Sequence, residues 1–342
     1  MGAFASRKIL QHIVLAAVLS ICGGCAGQAV AAGEGEGALS LSVKPYHPDP
    51  DDRRRLTFGP LSYAGGIEIS SDQSVFGGYS GLIVSGDGQS ILAVSDAGHW
   101  LRANLIYKDG WLTGIEAAQI LPLRGPDGRP LRGKGAGDAE AIARLPGTDF
   151  HGELLVGFER RHRVLRYRHE PGGQIVPLGP VSVPTRLADA PSNKGIEALL
   201  VLADGRTLMI TERMLDQDGN LLGWLQQTGE AARPLRVART NNFDVTDLAQ
   251  LPDGDLLLLE RRFTIVGGAA MRLRRIAADK LAQSAPLDGE TLLILTARNG
   301  IDNMEGLDIR RTAAGETLLY IMSDDNFSSA QKTLLLTFRL NP

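Results

Sequence analysis

Short apolar runs bounded by turn residues recur along the chain from about residue 56 onward, and they come in pairs. A small or polar residue followed by a hydrophobe opens the first run. The openings read Tyr79-Ser80-Gly81-Leu82, Asp138-Ala139-Glu140-Ala141-Ile142, Gly195-Ile196-Glu197-Ala198-Leu199, Val245-Thr246-Asp247-Leu248 and Asn303-Met304-Glu305-Gly306-Leu307. The second run ends in an acid: Ser95-Asp96, Phe158-Glu159-Arg160, Thr211-Glu212-Arg213, Leu259-Glu260-Arg261 and Ser323-Asp324-Asp325. Between the two runs stands a turn signal, such as Ser85-Gly86-Asp87-Gly88, Ala203-Asp204-Gly205-Arg206 or Leu251-Pro252-Asp253-Gly254. Such signals between apolar runs predict hairpins. The run 255–259 is apolar at every position after Asp255, as expected of a strand covered on both faces.

The third repeat carries four strand signals, at 196–202, 207–211, 221–227 and 232–237. Four antiparallel strands in a unit that recurs along the chain predict an all-β fold, a β-propeller of four-stranded blades. The repeat count gives five blades, or six if the long repeats hide an extra unit or the N-terminal segment supplies more than one strand. The last repeat has three clear strands, at 306–311, 317–322 and 332–340. Its fourth is expected from 56–69, so that pairing of N- and C-terminal strands closes the ring.

Composition bounds the rest. The 342 residues carry a net charge of −3 and contain no long basic run, which excludes an electrostatic nucleic-acid binder. Arg7 and Lys8 precede the apolar stretch 13–21, which is too short to span a bilayer but suits an export signal over 1–31. Two processing routes stay open: cleavage after Ala29-Val30-Ala31, or lipidation of Cys25 in Gly23-Gly24-Cys25. Either way the expected location is periplasmic or outer-membrane-anchored, with no transmembrane helix in the mature chain. Cys22 and Cys25 are the only cysteines, so the mature body has no disulfide and no thiol chemistry. The Gly-, Pro- and Asp-rich stretch 32–54 reads as a flexible linker or arm, and 55–342 as one domain, expected to be a monomer.

Paired first and second strands put the start of one and the end of the other at the same rim. Glu140 with Glu159, Glu197 with Glu212, Asp247 with Glu260, and Glu305 with Asp324 are therefore expected at one channel mouth, joined by Asp96. Crowded carboxylates raise each other's pKa unless a cation compensates. A hard cation such as Ca2+ is one compensation. The metal candidates are Glu197, Glu305, Asp324, Asn303, Asn326 and Asp96, since Asn193, Asn303 and Asn326 accompany three of the acids. Arginine is the other compensation: Arg160, Arg213 and Arg261 read either as holders of a substrate anion or as salt-bridge partners of neighbouring acids. Glu140, Glu197 and His99 are the candidate acid–base residues, and Trp100 is expected to line the entrance.

Taken together, Gly78-Tyr79-Ser80-Gly81-Leu82, Gly195-Ile196-Glu197-Ala198-Leu199, Asp244-Val245-Thr246-Asp247-Leu248, Leu259-Glu260-Arg261, Asn303-Met304-Glu305-Gly306 and Ser323-Asp324-Asp325-Asn326-Phe327 resemble the "esterase-like activity of phytase" family, a phytase-like propeller domain of secreted bacterial proteins. The resemblance implies a distant relation to calcium-dependent propeller phytases. The mature body has few lysines, unlike the phosphate site of such phytases, so a smaller phosphoester, a carboxyl ester or a lactone is the expected substrate. The resulting expectation is an exported metal-dependent hydrolase acting on a small anionic or ester substrate. The alternative is a non-catalytic, calcium-stabilised binding propeller of the cell envelope.

Overall fold

Hairpins joined at the glycine-containing turns build the molecule unit by unit. A computed structural model describes residues 36–341. Among these, Tyr79–Val84, Ser90–Ser95, His99–Lys108 and Trp111–Pro122 form the first antiparallel unit. Ala139–Arg144, Gly152–Phe158, Arg163–His169 and Ile175–Val181 form the second. The third comprises Ile196–Val201, Thr207–Leu215, Leu221–Gln226 and Arg233–Val237, and the fourth Asp244–Gln250, Leu256–Thr264, Gly268–Ile276 and Glu290–Thr296. Asn303–Arg311, Thr317–Asp324 and Thr333–Leu340 make the last unit, and Leu61–Ser70 completes it. That strand pairs antiparallel with Thr333–Leu340, from Thr333 opposite Ile69 to Leu340 opposite Leu61.

The first strand of each unit lies beside the first strand of the next, and Asn303–Arg311 lies beside Tyr79–Val84. Hydrophobic clusters sit between neighbouring units. Ile83, Val94 and Trp100 of the first unit pack with Ile142, Leu154 and Tyr167 of the second. Leu318, Tyr320 and Met322 of the last pack with Leu82, Ala93 and Leu101 of the first. The fold is thus all-β and propeller-like. A single parallel bridge, Gly65 opposite Leu112, joins the last unit to the outer edge of the first. Only glycine fits there: φ is +118° and a Cβ would lie 2.6 Å from the Leu112 carbonyl oxygen.

Two expectations need correction. Residues 36–54 are not a loose arm. Gly37–Ala38 pairs with Trp111–Pro122, Ser42–Pro45 pairs with Leu61–Ser70, and the Tyr46 hydroxyl donates to the Asn299 carbonyl at 2.5 Å. Leu39, Leu41 and Val43 alternate with polar residues and pack on the core, which holds the segment down. Trp100 does not line an entrance. It is buried edge-to-face against Tyr167, at 5.4 Å between ring centroids. The export segment and Cys25 lie outside the described residues. No helix among the described residues is long and apolar enough to cross a membrane.

Candidate functional site

In every unit the first two strands slip register at the same place. The slip falls between Tyr79 and Gly81, Ala139 and Ala141, Ile196 and Ala198, Val245 and Asp247, and Met304 and Gly306. A β-bulge leaves one residue out of the ladder and re-aims its side chain. The bulged residues are Ser80, Glu140, Glu197, Thr246 and Glu305. The facing strand places Asp96, Glu159, Glu212, Arg261 and Asp324 at equivalent positions, each just past or opposite the start of its partner strand. Asp138 and Asp244 occupy the position two residues before the bulge.

This register corrects the fourth pair. Asp247 and Glu260 do not join the mouth. The Asp247 carboxylate accepts the backbone N–H of Leu307 at 2.7 Å and of Leu248 at 2.8 Å, tying two inner strands together. Glu260, fully buried, is clamped by Arg272 at 2.6 and 2.9 Å and by Arg274 at 2.6 Å. Their places at the mouth go to Thr246 and Arg261, so a guanidinium stands where the other four units have an acid. The signal was present in the sequence: setting Leu248 level with Leu82, Ile142, Leu199 and Leu307 puts Thr246, not Asp247, at the bulge.

The acids that do converge are Asp96, Asp138, Glu140, Glu159, Glu197, Glu212, Glu305 and Asp324. One oxygen from each of Asp96, Asp138 and Glu140 lies within 4.8 Å of the others. Asp96 Oδ1 and Asp138 Oδ1 are buried and have no hydrogen-bond partner among the described residues. The second oxygens of these two are neutralised: Lys134 Nζ lies 2.5 Å from Asp96 Oδ2, and Arg160 Nε 2.6 Å from Asp138 Oδ2. Lys134 and Asp138 flank a single helical turn, Lys134–Gly137, in a glycine-rich stretch that sequence reasoning passed over.

Burial, reinforced by Glu305, Asp138, Glu159 and Asp96, pushes the Glu140 carboxyl well above its ordinary range, although Glu140 keeps some solvent-accessible surface. Burial together with Glu140, Glu212 and Glu159 does the same to Glu197. Asp324 is raised well above its range by burial and Glu305, and Asp96 is raised by burial against the pull of Lys134. Glu159 is pushed up to about 7 by burial, even though the Gly195 N–H donates to it. Glu197 is its neighbour, and each carboxyl is raised chiefly by burial.

Arg261 holds the other side together. It reaches Glu305 Oε1 at 2.9 Å, Glu212 Oε1 at 3.1 Å and the Asn303 side-chain oxygen at 2.5 Å. Burial works against its charge, and Glu305, Glu197, Glu212 and Glu140 more than compensate. Lys194 also binds Glu212. Arg213 and Arg239 both bind Asp244, at 2.6 Å each. The Asn303 amide donates to Glu305 at 2.8 Å, and the Asn326 backbone N–H donates to Asp324 at 2.7 Å. His99 sits at the end of the ladder opposite Ser95, where burial lowers its pKa, and it has no carboxylate among its hydrogen-bond partners.

A cleft of about 730 Å³ opens beside this cluster, lined by Lys194, Glu212, Arg213, Arg261, Phe263 and Ile301 among others. The opposite ends of the inner strands enclose a separate cavity of about 450 Å³ with Leu82, Ile142, Leu199, Leu248 and Leu307 in its wall. Its charged groups include the ion pair Arg144–Asp308.

The chain is similar in fold to several solved structures. The β-propeller domain of Cps50 (Swd1) from Myceliophteria thermophila is 13% identical over 88% of this chain and 89% of that one, with a TM-score of 0.36. A protein of unknown function from Dyadobacter fermentans is 14% identical over 91% and 96%, with a TM-score of 0.41. A mannose phosphorylase from Leishmania mexicana is 11% identical over 89% and 84%, with a TM-score of 0.41. No functional step rests on likenesses at this level. Among curated proteins none matches. The family described as "Phytase-like: Esterase-like activity of phytase" matches residues 74–327, most of the chain and all of the acidic mouth, and the protein belongs to that family.

Proposed function

We propose that the protein is an exported, calcium-dependent hydrolase that cleaves an ester or phosphoester at the acidic mouth of a closed, five-bladed propeller. The observation that carries this reading is the Asp96–Asp138–Glu140 group, with its two buried oxygens that lack partners. An all-oxygen donor set suits a hard cation such as Ca2+. These three residues would hold it, in place of the set expected around Glu197, Glu305, Asp324, Asn303 and Asn326. Asn303 fits that role poorly, because its side-chain oxygen is taken by Arg261. When bound, such an ion polarises a substrate oxygen and lowers the pKa of water.

The protein's own groups complete the chemistry. Glu159 and Glu197, both raised by burial, would act as an acid–base pair with one member ionised and the other protonated. The ionised member accepts a proton from water as the water oxygen bonds to the acyl carbon or phosphorus. The protonated member gives its proton to the leaving oxygen as the ester bond breaks, so the pair ends with the one proton it began with. Arg261, Arg213 and Lys194, with Arg160 and Lys134 across the mouth, supply positive charge for the substrate anion. Export rests on Arg7, Lys8 and the apolar stretch 13–21, with cleavage after Ala29-Val30-Ala31 or lipidation of Cys25 placing the protein in the periplasm or at the outer membrane.

The test is a panel of aryl esters, lactones and aryl phosphates, assayed with calcium and with chelator. Turnover that needs calcium and is lost in Asp138→Asn is expected. Calcium-dependent stabilisation without turnover on any member would leave the non-catalytic binding propeller. No response to calcium at all would remove the chemical basis of both.

A further inference from the structure

The lining of the cleft beside the cluster is of two kinds. Its charged part is Lys194, Arg213, Arg261 and Arg262 with Glu212, Asp244 and Asp302; Lys194 and Arg261 are paired with Glu212, and Arg213 with Asp244. Its apolar part is Phe263, Ala269, Ala270 and Ile301. Phe263 belongs to the hairpin between Leu256–Thr264 and Gly268–Ile276, and it is 76% exposed. Ile265 and Val266 at the tip of the same hairpin are 97% and 100% exposed. Large apolar side chains left in water beside a charged pocket mark a binding surface. The nearby cations are also not idle: Arg213 is half-exposed although bound to Asp244, so part of its guanidinium still faces the cleft. A substrate made only of phosphates and hydroxyls would find no partner on the Phe263 wall.

We infer that this cleft takes an amphiphilic anion, with a phosphate or carboxylate head on Arg213, Arg261 and Lys194 and an aromatic or aliphatic body on Phe263 and Ile301. The inference rests on the hydrolase reading for the reacting end of the substrate but not for binding. The volume, about 730 Å³, accommodates a body of one or two rings beside the head group. Burying such a body against Phe263 is expected to tighten binding on the order of tenfold over the head group alone.

Binding is measured first, by calorimetry on the whole protein with calcium, using naphthalene-1-phosphonate and methylphosphonate. Neither can be hydrolysed. The naphthalene compound should bind about tenfold more tightly. Phe263→Ala should remove most of that difference, and Arg213→Gln should weaken both compounds alike. Phe263 is on the surface, so its variant should fold as the wild type does. Equal affinities for the two phosphonates, or a preference unaffected by Phe263→Ala, would overturn the inference. Turnover of the panel of aryl esters, lactones and aryl phosphates is the second arm. The binding preference without turnover supports the ligand class and sinks the hydrolase. Turnover with no binding preference keeps the hydrolase and sinks the ligand class.

Discussion

A single residue, Arg261, changes the character of the acidic mouth. Four units place an acid at its position, and the fourth unit places a guanidinium that bridges Glu212 and Glu305. It neutralises one side of the cluster and leaves Asp96, Asp138 and Glu140 crowded on the other. Glu260, its neighbour in sequence, has a purely structural environment. Glu260→Gln would leave Arg272 buried without its counter-charge and Arg274 with Asp288 alone, at a cost of about 3–5 kcal/mol in denaturant unfolding. The increase in melting temperature on adding calcium should be unchanged in that variant, because Glu260 is away from the mouth. The raised carboxyls also fix the sign of a pH effect. Glu159 binds its proton more tightly in the folded than in the unfolded protein, so stability falls as pH rises from its ordinary 4.5 towards about 7. Glu140, Glu197 and Asp324 act in the same direction. Melting curves in chelator should therefore show stability declining from pH 5 to pH 8, and calcium should flatten that decline. A rise in stability over that range without calcium would contradict the electrostatic account.

The bulge is the element that converts a strand repeat into a site. Without it, alternation along each inner strand would send the acid into the packing between units; with it, Glu140, Glu197 and Glu305 face one another. The residue after the bulge must then be small wherever inner strands crowd together. A Cβ on Gly306 would lie 3.0 Å from Leu82 Cβ, and one on Gly81 would lie 2.9 Å from Ile142 Cγ2. Gly306→Val is expected to cost about 1–3 kcal/mol through overpacking, read from the denaturant midpoint. Turn residues and apolar runs made the hairpins, their order and the pairing of 61–70 with the last strand legible in the sequence. The mouth acids were legible where the motif was regular. In the fourth unit Asp247, next to Thr246, and Glu260, next to Arg261, drew attention away from those two residues, because a one-residue slip in register moves a side chain to the other face. Lys134 and Asp138 were hidden for another reason: their approach to Asp96 depends on how the glycine-rich 125–138 stretch folds back, and no local period encodes that. The composition of 32–54 concealed the alternation of Leu39, Leu41 and Val43.

At the scale of the whole molecule, two kinds of contact tie the strand Leu61–Ser70 to the last unit and the last unit to the first. One is the ladder between Leu61–Ser70 and Thr333–Leu340; the other is the hydrophobic cluster that Ile67 and Ile69 share with Tyr79, Leu82 and Met322. The ladder joins residues more than 260 apart in the chain, so it forms late and closes the largest loop in the fold. The outer strand Ser42–Pro45 adds one more ladder to the same sheet, together with the Tyr46 anchor on Asn299. The contributions of the two segments should therefore separate in a truncation series. Deleting through residue 46 removes an edge strand and two partly buried anchors, and should lower the melting temperature by several degrees while the chain still folds cooperatively. Deleting through residue 70 removes the fourth strand of the last unit, strips cover from Leu335 and Leu336, and should leave no cooperative transition. A chain that still unfolds cooperatively after the longer deletion would show that the remaining units are stable without the terminal pairing, and the closed-ring proposal would fail with it.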